Sequence, residues 1–203
     1  MYKIIVLLSG NGSNLQKIIE HIDSGDINAE VSAVISNRPD AYGLQRATEA
    51  NIPTIVLEHT HFSDRESFDE SLAQIIDSYE PDLIVLAGFM RILSDTFVER
   101  FKGKLINIHP SLLPKYKGLH THKRAIEDGE TEHGASVHFV IPELDAGNVI
   151  LQGVVPVKPN DTEESLAERV HLIEHIIYPQ AIKWLTEKHS TDIKYPIKVH
   201  LDQ

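Results

Sequence analysis

Residues 107 to 122 read NIHPSLLPKYKGLHTH, which brings Asn107, His109, His120 and His122 within sixteen residues. Side chains of these types can ligate a metal, or they can form an acid–base and oxyanion-stabilising set. The metal reading takes His109, His120 and His122, with His138 as a fourth ligand from a later segment. It has neither the H-E-x-x-H spacing nor a paired aspartate cluster behind it. The acid–base reading needs fewer residues. On a strand, Asn107 and His109 are two apart and project to one face, with Pro110 ending the strand at the pair. An asparagine amide aimed at a developing oxyanion is worth about 3–4 kcal/mol when preorganised. Histidine is the usual proton carrier near neutral pH. A nearby carboxylate would stabilise the imidazolium, and Asp145 in ELDAGNVI is the best candidate. With no cysteine and no G-x-S-x-G elbow, this set would position and polarise a carbonyl for attack by a second substrate.

A second stretch, SGNGSN (9–14), follows an apolar run. Gly10 and Gly12 permit a tight turn, and Ser13 with Gln16 has the spacing of a capping box, so Gly12, Ser13 and Asn14 open a helix. Exposed N–H groups and the helix dipole there form a phosphate site, although a plain strand–helix turn has the same pattern. Leu15 stands where the dinucleotide fingerprint needs its third glycine, and no P-loop lysine is present. A monophosphate fits better than NAD. A third stretch, AGFMRIL (87–93), is either a strand end and turn or an apolar wall for a flat ring, with Arg91 beside it. Arg65 is a surface charge or a carboxylate clamp; taken alone it reads as surface. His21, His59, His61, His133, His171, His175, His189 and His200 read as surface or helix-face residues.

The elements that must position these stretches alternate. KIIVLL (3–8), VSAVIS (31–36), 54–57, DLIVLAG (82–88) and KLINIH (104–109) read as strands. Helices are expected from the spacing of Leu15, Ile18, Ile19 and Ile22, then near 43–50, and over a segment opened by a Ser63–Glu66 capping box and closed by Pro81. That segment carries Phe68, Leu72, Ile75, Ile76 and Tyr79 on one face. Further helices are expected near 94–101 and over 121–128, with Gly129 as the stop. ASVHFVI (135–141) and VILQGVVPV (149–157) read as two more strands, before a long helix from about 162 with Leu166, Val170, Ile173 and Ile177 inward. The tail 190–203 has a weak strand signal at IKVHL and stays unassigned. The pattern is that of a doubly wound α/β fold with a mostly parallel sheet, extended by a C-terminal β-hairpin and long helix. Ligands bind outside the carboxyl ends of such strands, and all three suspicious stretches follow strand ends.

The 203 residues fit one domain, or two small lobes sharing a sheet, and a single domain is expected. Zero cysteines exclude disulfides, and 41% hydrophobic with 24% charged residues is an ordinary globular composition. The opening apolar run flows into a glycine turn and does not read as a signal peptide. No run approaches the roughly 18 apolar residues of a membrane span. A net charge of −11 disfavours nucleic acid and anionic membranes as partners. A soluble cytoplasmic protein, monomeric or weakly dimeric, is expected.

INIHPSLLPKYKGLHTH (106–122) and HGASVHFVIPELDAGNVILQ (133–152) resemble the two signatures of the folate-dependent formyltransferases. LLSGNGSNLQ (7–16) and LAGFMRIL (86–93) narrow the likeness to the branch acting on glycinamide ribonucleotide in purine synthesis, over about residues 3–188. The resemblance implies one formyltransferase domain over 1–203: a phosphate-binding half to about 100, a catalytic and folate-binding half over about 101–188, and a tail from 189. It implies 10-formyltetrahydrofolate as donor, no metal, and Asn107, His109 and Asp145 as the catalytic residues. Gly12, Ser13, Asn14 and Glu174 would bind the ribonucleotide. Arg65, Met90, Arg91, Ile92, Leu93 and Asn107 would bind the folate, together with Ile141, Pro142, Glu143, Leu144 and Asp145. His120, His122 and His138 would support the site. Two relatives share the formyl-handling residues. The tRNA-directed formyltransferase calls for a further RNA-binding domain and a basic surface. Formyltetrahydrofolate deformylase, which sends water to the formyl group, is expected with an extra N-terminal domain and stands as the alternative.

Overall fold

The structure, a computed structural model, describes residues 1–187 and 197–201. The chain divides into two compact units, Met1–Asn107 and Ile108–Gln203. In the first unit strands and helices alternate: β1 (Tyr2–Leu8), α1 (Ser13–Asp23), β2 (Ala29–Ser36), α2 (Tyr42–Glu49), β3 (Thr54–Val56), α3 (Arg65–Tyr79), β4 (Leu83–Leu86) and α4 (Asp95–Arg100), with a short 3-10 turn at His59–His61. β5 (Leu105–His109) follows. β1 pairs in parallel with both β2 and β4, β2 with β3, and β4 with β5. Because β1 lies between β2 and β4, the chains leaving the carboxyl ends of β1 and β4 diverge, which opens the crevice typical of this topology. Ile4 to Leu8 are fully buried, so both faces of β1 are covered and its sequence is a continuous apolar run.

The capped helix α3 starts one residue later than its sequence pattern implied. Asp64, with φ −151°, is the N-cap and accepts from the Ser67 N–H at 2.7 Å. Ser63 only donates its hydroxyl to Asp64. Two overlapping capping patterns exist here, and the carboxylate takes the position because it accepts the stronger, charge-assisted bond. Phe68, Leu72 and Ile76 are buried as expected, and Glu80 (φ 48°) turns the chain into Pro81.

In the second unit α5 (Thr121–Glu127) precedes β6 (Glu132–Phe139), β7 (Val149–Pro156), α6 (Glu163–Thr186) and β8 (Ile197–His200). β6 and β7 are antiparallel, and β8 runs parallel to β7, which gives the weak IKVHL signal a structural meaning. His189 lies outside the described residues. Thr162 caps α6 in a reciprocal bond with Ser165, and Leu166, Val170, Ile173 and Ile177 are buried. Gly153 on β7 admits α6 closely, since a Cβ there would fall 2.2 Å from Ile173 Cγ1.

Across the chain the strand order is β3-β2-β1-β4-β5-β6-β7-β8, a mostly parallel α/β sheet with flanking helices. Among the described residues no helix is long and apolar enough to cross a membrane.

Candidate active site

In the first unit, β1 ends in a turn built by backbone constraints. Ser9 N–H donates to the Gly88 carbonyl at 3.0 Å; its hydroxyl donates to Asn37 Oδ1 at 2.5 Å and accepts from Met90 N–H at 2.8 Å. Ser9 thus ties SGNGSN to the GFMRIL turn. Gly12 has φ 74° and is itself the N-cap of α1. Ser13 is the first helical residue, so the expected Ser13–Gln16 capping box does not form. The reason is close approach: a Cβ on Gly12 would lie 2.6 Å from Gly43 Cα, so the cap position is set by packing against α2 and has no side chain. Gly12, Ser13 and Asn14 nonetheless open α1, whose first turn holds no acidic residue.

After β4, Met90 and Ile92 are exposed at 76% and 65%, while Leu93 is buried. The Arg91 guanidinium lies 4.9 Å from the Phe68 ring centroid. Arg65 is exposed and pairs with Glu66 at 3.1 Å, which accounts for it as a surface charge.

β5 carries Asn107 and His109 on one face, Asn107 half-buried and in register with Leu86 of β4. His109 is buried in the second unit, and both its ring nitrogens face oxygens. Nε2 donates to the Tyr116 carbonyl at 2.9 Å, and Nδ1 lies 3.3 Å from Asp145 Oδ2. Asp145 sits in the β6–β7 loop with φ 48°, a conformation aspartate tolerates better than most residues. Its Oδ2 accepts the Gly118 N–H at 2.9 Å, and its Oδ1 lies 3.7 Å from His138 Nε2. Burial lowers the pKa of His138, whose Nδ1 donates to the Phe139 carbonyl at 2.9 Å.

The remaining expected residues separate into two groups. Ile141, Pro142, Glu143 and Leu144 are exposed on the loop leading to Asp145, and Glu143 accepts from Lys117 at 2.8 Å. His120 is exposed at the start of α5 with φ 56°, and His122 is half-buried. His122 Nδ1 meets His133 Nε2 at 3.2 Å, and His133 is buried rather than at the surface as its sequence position implied. Burial first, then the His122 charge, pushes the His133 pKa down to about 4, so the pair is a neutral hydrogen-bonded couple near pH 7. Glu174, on α6, is buried with its Oε2 3.4 Å from His171 Nδ1.

Several positioning residues carried no chemical signature of their own. Tyr116 serves His109 through a main-chain carbonyl, while its hydroxyl lies 2.9 Å from both Asp128 and Glu130. Ser136, fully buried, accepts from Leu113 N–H and Gln152 Nε2 and donates to the Ser111 carbonyl at 2.6 Å, which fixes the SLLP turn. The sequence signal for this was the polar Gln152 in the otherwise apolar β7, which Ser136 faces from β6. Among the described residues no group of three His, Asp or Glu side chains is arranged to hold a metal ion.

Residues 2–182 match the formyl transferase family. The phosphoribosylglycinamide formyltransferase of Escherichia coli K12 is 55% identical over 184 residues, 91% of this chain and 87% of that protein. The human trifunctional purine biosynthetic protein adenosine-3 is 46% identical over 181 residues, 89% of this chain but 18% of that larger protein. Among solved structures, a phosphoribosylglycinamide formyltransferase from Coxiella burnetii superposes with a TM-score of 0.88 at 55% identity, covering 92% of this chain and 87% of that one. A glycinamide ribonucleotide transformylase from Symbiobacterium toebii gives 0.89 at 42% identity, covering 92% and 88%. With nine-tenths of its length matched at this identity, and with the fold shared, the chain belongs to the formyl transferase family.

Proposed function

We propose that the chain transfers the formyl group of 10-formyltetrahydrofolate to the amine of glycinamide ribonucleotide, the formylation step of purine biosynthesis. The observation that carries the reading is the buried His109–Asp145 pair at the tip of β5, in a chain with relatives of that name. The amine nitrogen attacks the formyl carbon, the bond from that carbon to the folate nitrogen breaks, and one proton passes from the amine to the departing nitrogen. Asn107 and His109 would stabilise the oxyanion formed at the formyl oxygen, where preorganised donors act most strongly. Asp145 would hold His109 in its donor state and assist the proton transfer, through water.

Gly12, Ser13 and Asn14 would take the ribonucleotide phosphate with the N–H groups at the start of α1, and Glu174 its ribose. Exposed Met90 and Ile92, with Arg91 and Leu93, would line the pterin site on the first unit. Ile141 to Leu144 are the other residues expected to bind the folate, and Arg65 would meet its glutamate tail. His120, His122 and His138 would support the site. No metal takes part in this scheme. The reading carries with it a cytoplasmic enzyme working as a monomer or weak homodimer on small-molecule substrates.

The test follows absorbance during formyl transfer from a 10-formylfolate donor in EDTA, with and without glycinamide ribonucleotide. Turnover that requires the ribonucleotide and ignores EDTA is expected. Formyl loss without an acceptor would replace the transferase by a deformylase, and a need for added metal would overturn the metal-free scheme.

A further inference from the structure

Arg46, on α2, lies outside every motif considered above, yet it reaches back to the turn between β1 and α1. Its Nε donates to the Asn11 carbonyl at 2.9 Å, Nη2 to the Asn11 side-chain oxygen at 3.1 Å, and Nη1 to Gln16 Oε1 at 3.4 Å. One guanidinium therefore holds the residue before Gly12 and a residue of the helix that Gly12 opens. The Tyr42 ring backs it, with the guanidinium carbon 4.9 Å from the ring centroid. The main chain of α2 supports the same turn: Gly43 N–H donates to the Gly10 carbonyl at 3.0 Å, and Gly12 packs directly on Gly43.

This geometry fixes more than a loop position. The Asn11–Gly12 peptide is planar, so its carbonyl and the Gly12 N–H point in opposite directions. Holding that carbonyl on Arg46 turns the Gly12 N–H away from α2 and sets its direction. The guanidinium has five N–H donors in a rigid fork and carries a positive charge. In a chain of net charge −11, a phosphate dianion needs such positive charge close to its site. Neither effect depends on Arg46 touching the ligand.

We propose that Arg46 is a positioning residue of the phosphomonoester site, orienting the Asn11–Gly12 peptide and supplying local positive charge so that the start of α1 binds the phosphate of the acceptor. The proposal rests on the preceding assignment of the ribonucleotide phosphate to Gly12, Ser13 and Asn14.

The experiment compares the wild-type chain with Arg46→Met, Arg46→Lys and Ser13→Ala. It reads kcat, the KM of each substrate, and the Ki of inorganic phosphate as a competitor of glycinamide ribonucleotide. In Arg46→Met the ribonucleotide KM and the phosphate Ki are expected to rise together by about tenfold, as loss of a charge-assisted contact would give, with the change in KM exceeding that in kcat. The formyl-donor KM should stay put. Arg46→Lys keeps the charge without the fork and should rise by about threefold, which also carries the test if Arg46→Met does not fold. A phosphate Ki that rises in Ser13→Ala but holds in both Arg46 variants would overturn the Arg46 role alone. Equal rises in both substrates' KM would reduce Arg46 to general scaffolding and overturn it too. If phosphate does not compete even in the wild type, the phosphate assignment falls and takes the Arg46 role with it.

Discussion

His109 and Asp145 meet through Nδ1 and Oδ2 at 3.3 Å, with their side chains only 8% and 7% exposed. The same carboxylate oxygen takes the Gly118 N–H at 2.9 Å, so one atom ties the tip of β5 to two loops. A buried carboxylate is tolerated only when it is bonded and paired in this way. Its charge, rather than its shape, is what the proposed reading asks of it beside His109.

Asp145→Asn keeps the shape and removes the charge. The amide oxygen can still accept from Gly118, so the loop should hold and folate binding should persist. Turnover is expected to fall by about 10²–10⁴-fold, the range for loss of acid–base assistance. Steady-state kinetics paired with a fluorescence titration of folate separates the two. Near-normal kcat would remove Asp145 from the mechanism.

Gly12→Ala tests the turn to which the proposed reading assigns the phosphate donors. The residue sits at φ 74°, and the added methyl would come within 2.6 Å of Gly43 Cα, which is backbone and cannot swing aside. Strain of this kind costs about 1–3 kcal/mol. Urea unfolding should show that loss, and the ribonucleotide KM should rise as the turn shifts. A variant as stable as the wild type, with an unchanged KM, would contradict this account of the turn.

Asn107 and His109 were legible because strand periodicity and a following proline leave little choice about where their side chains go. Seven of the eight strands and the long capped helix were legible for the same reason, since continuous apolar runs and 3.6-residue spacing report burial directly, whereas β8 gave too weak a signal in a polar tail. Ser13 and Ser63 failed as caps because S-x-x-Q and S-x-x-E patterns overlap with alternatives one residue away. A contact distant in sequence decided the first case, Gly43 against Gly12, and the stronger bond of the Asp64 carboxylate to Ser67 N–H decided the second. Tyr116 was illegible since it acts through a carbonyl that every residue type carries. His133 was misread because a strand's first residues are usually exposed, whereas here another histidine buries and satisfies it.

Gly153→Ala probes how α6 is held on the second unit. The methyl would fall 2.2 Å from Ile173 Cγ1 and 3.1 Å from Ile177 Cγ2, both on a buried helix face. Overpacking there should cost about 1–3 kcal/mol and push α6 outward. Because Glu174, to which the proposed reading assigns the ribose, follows Ile173, the ribonucleotide KM should rise alongside the lost stability. Equilibrium unfolding and steady-state kinetics on one preparation check both, and an unchanged midpoint would mean that α6 yields without cost.

The His122–His133 couple gives the fold a defined response to acid. His133 titrates near 6.5 in an unfolded chain and is pushed down to about 4 when folded, by burial first and by the His122 charge second. Between those values the unfolded chain binds more protons than the native one, so stability must rise with pH. Acidification from pH 6.5 to 4 should therefore destabilise the protein, and the effect should level off below 4. His122 and His138, both lowered by burial, act in the same direction. His171, raised by its hydrogen bond to Glu174, acts in the opposite one. Replacing His133 with glutamine removes the proton acceptor while leaving an amide able to meet His122. Urea midpoints measured across that pH range should fall less steeply in His133→Gln than in the wild type. Identical slopes would show that the buried couple takes up its proton without opening the fold, and the neutral assignment would be wrong.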